Sequence, residues 1–286
     1  MAPPNLTVGA LEIGVIISTF LFGISTVQTH TYFRRFPRDG WIIKSLVTLI
    51  WFLELAHTIS ITHGLFSMTV LQYISPKENN GKNLQTGFSV AIIFSGSIAA
   101  FVQAYYTHRL RVVSGQIAFA IFFWTCSLVR LGGWIWAGST STIACVQYQA
   151  GERPARAADW PLIPLLAFGA LVDFVVAVSI CHYFYTSRKR AGKQTVRLLD
   201  QLILSTIQNG ALTSIAGIVT AVLLATMPDN FIWIVVFIIL TRIFAISFLG
   251  SVNDRTELRK IGTDYQEAAT RESDAKLKLS SSPTPV

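Results

Sequence analysis

Two apolar stretches, residues 160–185 and 202–227, flank a short basic segment, 186–201, that carries Arg188, Lys189, Arg190, Lys193 and Arg197. Nothing else in the chain constrains its fold as tightly. About 20 helical residues at 1.5 Å each cover roughly 30 Å of hydrocarbon, so either stretch is long enough to cross a bilayer. Inside a bilayer the backbone polar groups must pair within their own segment, which makes each apolar stretch a helix. The basic segment belongs on the cytoplasmic side, and that placement orients everything before and after it.

Five more apolar runs precede or follow this pair, at about 9–33, 41–65, 85–108, 115–137 and 231–250. Only 13% of residues are charged and mean hydropathy is +0.51, whereas soluble domains carry about 25% charged residues. The expected fold is therefore all-α, a polytopic bundle of seven transmembrane helices over residues 9–250. A short extracellular or lumenal N-terminus, 1–8, precedes it, and a polar cytoplasmic tail, 251–286, is expected to be disordered. The first apolar run lacks a basic leader and reads as a retained membrane helix. Seventeen of the 23 Lys and Arg residues fall on the side of the basic segment and four on the other, with Arg130 and Arg242 inside helices. The N-terminus is thus expected outside and the C-terminus inside. The net charge of +8 follows from that asymmetry rather than from a nucleic-acid partner. The plasma membrane is the default location, although internal membranes obey the same rule.

Small residues mark where helices approach closely. The sixth run places Gly210, Ser214 and Gly217 along one stripe, and Gly169 and Ala177 flank Asp173 in the fifth. Gly14 and Ser18 fit the same rule in the first. Trp51 and Trp124 lie deep enough to read as packing residues.

Ionisable groups are costly in a bilayer, so those inside the runs are the first candidates for function. They are Glu54, Arg130, Asp173 and Arg242, together with His57 one turn beyond Glu54. The four charges sum to zero, which predicts pairing. Glu54 and Arg130 lie roughly 20 and 22 Å from their inner helix ends, and Asp173 and Arg242 roughly 20 and 17 Å below the outer face. Those depths predict the pairs Glu54–Arg130 and Asp173–Arg242. A carboxylate beside an imidazole can tune it into the physiological range, so Glu54 and His57 together would suit a proton relay. The same residues could equally serve a ligand site or simply fix helix register.

Several chemistries find no support. A retinal protein needs a lysine deep in a helix, and none is present. No cluster of His, Cys or carboxylates has metal-site spacing, and Cys126, Cys145 and Cys181 form no disulfide framework. No GxSxG, HExxH or GxxxxGK[ST] motif occurs. The expectation is no cofactor, no metal, no catalytic residue and no nucleic acid. The expected partners are the bilayer and a cytoplasmic protein engaged by the basic segment and tail.

The ordered motifs carry a resemblance. The second run reads WFLELAHTISITHGLF and the third FVQAYYTHRLRVVSG; the last three contain VDFVVAVSICHYF, IQNGALTSI, MPDNFIW and TRIFAISFLGSVNDR. Together these resemble a large multi-pass membrane family of basidiomycete fungi known only as a domain of unknown function, number sixty-five thirty-four, over residues 9–255. The resemblance implies a seven-helix membrane protein with Glu54, His57, Asp173 and Arg242 on motif positions. That family usually has Tyr and Asn where this chain has Phe244 and Ile246. It implies no activity. Three readings stay open: a receptor-like sensor of an extracellular or membrane ligand, a proton-coupled transporter or channel using Glu54, His57 and Asp173, and a structural membrane protein without a ligand.

Overall fold

A computed structural model describes residues 8–71, 82–149, 162–188, 193–227 and 230–254. Seven α-helices account for them: α1 Ala10–Arg35, α2 Trp41–Phe66, α3 Lys82–Ser114, α4 Ile117–Gln149, α5 Leu162–Arg188, α6 Lys193–Thr226 and α7 Ile232–Asn253. A π-helical turn, Ser67–Leu71, extends α2. No strand occurs among the described residues. The N-terminal sequon at Asn5, Lys189 and Arg190, and the tail from residue 255 lie outside the described residues. So do the side chains of Arg188, Lys193 and Arg197, of which only the helical backbone is described.

Two helices run well past the apolar runs that announce them. Helix α4 continues about 12 residues beyond residue 137, through a stretch rich in Ser and Thr. There Thr140, Ser141 and Thr142 each donate a hydroxyl hydrogen bond to the carbonyl four residues earlier, at 2.8–3.0 Å. This back-bonding meets the hydroxyls' needs without ending the helix. Helix α6 begins about nine residues before its apolar run, in the basic segment. Turn chemistry ends α3: Gly115, at φ +68°, occupies the left-handed region that stops the helix two residues short of α4.

Each helix packs against the next in sequence, and α1 closes the ring on α7. Helices α3 and α7 also cross the interior, where α3 meets α5 and α7, and α7 meets α2. They are the most enclosed, with 56% of the spanning window of each buried, against 22–39% in the other spanning helices. The outward faces carry large apolar side chains: Ile13, Phe20, Leu128, Leu171, Phe174 and Ile215 are all more than half exposed. A continuous belt of this kind is what lipid covers.

Among the described residues, six helices are long and apolar enough to cross a membrane. The chain is a multi-pass integral membrane protein. In α6 the apolar part with described side chains is Gly210–Thr226, shorter than a full span.

Close approach between helices depends on missing Cβ atoms. A Cβ on Gly87 would lie 2.8 Å from the Ser60 carbonyl oxygen and 2.9 Å from the Gly64 backbone, so α2 and α3 cross there almost backbone to backbone. Gly210 faces Ala177 and Gly217 faces Ala170 across α5 and α6, and the Ser214 hydroxyl donates to the Ala170 carbonyl at 3.3 Å. Gly96 leaves room for Trp134. Gly132, by contrast, faces open space. Replacing Gly96 or Gly210 by Ala is expected to lower stability by about 1–3 kcal/mol through overpacking. Gly132→Ala should be neutral or raise it by up to about 1 kcal/mol through helix propensity. Denaturant or thermal unfolding of the three variants in one detergent checks this; equal shifts for all three would refute the packing.

Candidate functional site

Arg242 is the largest side chain that is fully enclosed. Its Nε donates to the Ser18 hydroxyl at 2.9 Å, and its Nη2 to the Thr58 hydroxyl at 2.8 Å. Its Nη1 donates to Oε1 and to the backbone carbonyl of Glu54, each at 3.2 Å. The Phe22 ring lies 5.5 Å from the guanidinium carbon, within cation–π range. Thr58 in turn donates to the Glu54 carbonyl at 2.7 Å. The Ser25 hydroxyl, which donates to the Phe22 carbonyl, sits beside the Glu54 carboxylate. Arg242 and Glu54 are both 0% exposed, and the cluster ties α1, α2 and α7 together.

The second cluster is built differently. Arg130 Nη1 donates to Asp173 Oδ1 at 3.1 Å, Asp173 Oδ2 at 3.3 Å and Gln103 Oε1 at 3.2 Å. One nitrogen thus carries all three bonds, and Nε has no hydrogen-bond partner among the described residues. The Phe244 ring lies 5.5 Å from its guanidinium carbon. Gly169, one turn before Asp173, makes room for the head group: a Cβ there would lie 2.7 Å from Arg130 Cζ. This cluster joins α3, α4, α5 and α7.

The predicted partners are therefore exchanged. Glu54 pairs with Arg242 and Asp173 with Arg130. The depth argument failed because all four charges lie near mid-helix, and the few ångströms separating them are less than the reach of an arginine side chain. Neighbourhood decides instead: α7 packs on α2, and α4 on α5. His57 departs from expectation too. It is one turn from Glu54, but its ring does not bond the carboxylate, which Arg242 holds.

Among the described residues, the second cluster borders a void. A cavity of about 40 Å³ lies between α3, α5, α6 and α7, with room for roughly three waters. Gln103, Asp173, Tyr106 and Thr213 supply its polar lining, and Val176, Ile180 and Phe244 its apolar walls. Gln103 is 3% exposed, and its Nε2, a donor with two N–H groups, has no partner among the described residues. A smaller void of about 10 Å³ touches Arg130 on its other side, against Ser95 and Thr241. Gly210 lines the main cavity next to its contact with Ala177.

Sequence reasoning missed Gln103, Gly169, Tyr106 and Thr213. Gln103 had a signal, being a lone amide within an apolar run. Gly169 read as packing alone, and Ser18, assigned to helix packing, binds Arg242. At position 244, where the resembled family has Tyr, the Phe ring serves Arg130 through its π face. Ile246 is half-buried and makes no polar contact.

Residues 169–257 match a family of unknown function, DUF6534, a segment that holds Asp173 and Arg242 but neither of their partners. No curated protein and no solved structure matches the chain.

The two clusters predict different mutational behaviour. Arg242→Leu strands the Glu54 carboxylate and is expected to cost about 3–5 kcal/mol, enough to abolish folded yield. Adding Glu54→Leu should restore part of it. Asp173→Asn keeps an acceptor for Arg130 beside a cavity and should cost about 1–3 kcal/mol, leaving folded protein. Yield by size-exclusion profile and melting temperature distinguish these outcomes; an Arg242→Leu protein as stable as the parent would contradict the assignment.

Proposed function

We propose that the chain is a receptor-like sensor whose ligand binds in the cavity at Arg130, Asp173 and Gln103. What supports this is the contrast between the clusters. Every nitrogen of the Arg242 guanidinium has an acceptor, although Glu54 Oε2 has no partner among the described residues, whereas the Arg130 cluster leaves Nε and the Gln103 amide donor unused, with Gln103 and Asp173 lining a void. A mostly apolar cavity with a few convergent polar groups is the general form of a small-molecule site. In this reading seven helices cross the membrane with the N-terminus outside. Tyr106, Ile180 and Ser247 then place the cavity in the cytoplasmic half, closer to Arg109 and Arg111 than to the outer face. A ligand partitioning into the bilayer fits that depth better than one entering an outward mouth. Helices α5 and α6, which border the cavity, lead directly into the basic segment, where a cytoplasmic protein would read their displacement. Residence in the plasma membrane and membership of the fungal seven-helix family over residues 9–255 belong to the same proposal.

A second reading has one observation in its favour. Asp173 lines one void and Arg130 another, which suits the central site of an ion or proton carrier. Proton and ion flux into sealed proteoliposomes separates the two. The sensor reading expects no flux under any gradient, and a melting temperature raised by a bilayer-soluble ligand in the parent but not in Gln103→Leu. Flux in the parent that Asp173→Asn abolishes would replace it with the carrier. Neither flux nor ligand stabilisation across a lipid-extract panel would leave the charges a structural role alone.

A further inference from the structure

A separate void lies near the other end of the bundle, between α2, α3 and α7, with a volume of about 40 Å³. Phe88, Ile92, Trp233, Phe237 and Ile238 form most of its wall. Its one ionisable group is His57, which is 0% exposed. Neither Nδ1 nor Nε2 of that ring has a hydrogen-bond partner among the described residues. A neutral imidazole always offers one N–H and one lone pair, so two polar atoms are buried here without company. A leucine at this position would fill the same wall with nothing left unpaired. The nearby charges do not answer the ring: Glu54 Oε1 is held by Arg242, and Glu54 Oε2, itself without a partner among the described residues, makes no bond to it.

The chemistry of the wall selects the occupant. A single water would meet at most the imidazole and the Trp233 indole N–H among the lining side chains and would leave the apolar wall uncovered. A hydrocarbon would fill the space but leave both nitrogens unpaired. An ion would find no countercharge among the lining residues. A small uncharged molecule with one hydroxyl on a short apolar body pairs one of the two nitrogens and covers the wall. The volume limits it to the size of roughly three waters, hence to a few heavy atoms.

We propose that this cavity is a binding site for short-chain alcohols, with the hydroxyl on the His57 ring and the alkyl group against Phe88, Trp233 and Phe237. The site is distinct from the Arg130–Asp173 cavity, shares no lining residue with it, and stands or falls independently of the sensor reading. So few ligand atoms support only weak binding, with a dissociation constant on the order of millimolar.

The chain has five histidines, few enough to follow by ring nitrogen resonances. The full-length protein, labelled with ¹⁵N-histidine in phosphatidylcholine nanodiscs, is titrated with ethanol, and His57 is assigned through His57→Gln. The expected result is a saturable shift of the His57 ring resonances, with His63 and the others unmoved, and no shift with ethylammonium chloride. Ala91→Leu, which fills the cavity while keeping His57, should reduce the response at least tenfold. A linear, non-saturating drift shared by His57 and His63 would overturn the proposal, as would an equal response to ethylammonium. A saturable response undiminished in Ala91→Leu would also overturn it, and the titration of the parent decides the matter if that variant does not fold.

Discussion

The bundle hangs on the fully enclosed guanidinium of Arg242. A cation at that depth is tolerable only with a counter-ion and with donors matched to acceptors. The structure supplies a carboxylate oxygen, a backbone carbonyl and two hydroxyls, from α1 and α2, all converging on α7. The first and last helices of the described bundle thereby become neighbours. The contact is long-range by necessity: Ser18 and Arg242 are 224 residues apart. It also fixes the register of α7, because a shift of one residue would turn the arginine away from Ser18, Glu54 and Thr58. With α7 held there, Phe244 meets Arg130 and Thr241 meets Ser95, at 2.9 Å between hydroxyls.

The two arginines show how composition alone underdetermines role. Each sits mid-helix, each has one carboxylate partner and each lies near a Phe ring. They differ in what surrounds them. Four donor bonds and close packing make the Arg242 cluster a fastener. At Arg130, a glycine in place of a side chain, an amide with a spare nitrogen and adjoining voids leave a charged pair that can change partners. A polar group in a low-dielectric interior is expensive when unmatched. A protein that keeps such groups beside a void has kept them at a cost to stability, which is the usual mark of a working site rather than a scaffold.

Much of this was legible in the residues. Apolar run length gave seven helices in the right places, and rarity within those runs singled out Glu54, His57, Arg130, Asp173 and Arg242. Helix ends were read less well. The hydropathy of α4 fades at residue 137, while Thr140, Ser141 and Thr142 carry the helix on by bonding their own carbonyls. Pairing could not be read at all from depth, because a long flexible side chain erases the difference between neighbouring levels. It depends on which helices touch, and linear order does not announce that α7 crosses to α2. Gly169 shows the same limit: its reason for being glycine lies on another helix.

The serine- and threonine-rich extension of α4 also bears on the membrane itself. At 33 residues the helix is roughly 50 Å long, some 20 Å more than the hydrocarbon of a typical bilayer. A helix whose polar side chains are satisfied by its own backbone has no sharp boundary between lipid and water. Hydroxyls that can stay folded inward or turn to solvent make the upper turns of α4 acceptable on either side of the headgroups. Along α4 the boundary between hydrocarbon and water can therefore fall at more than one level.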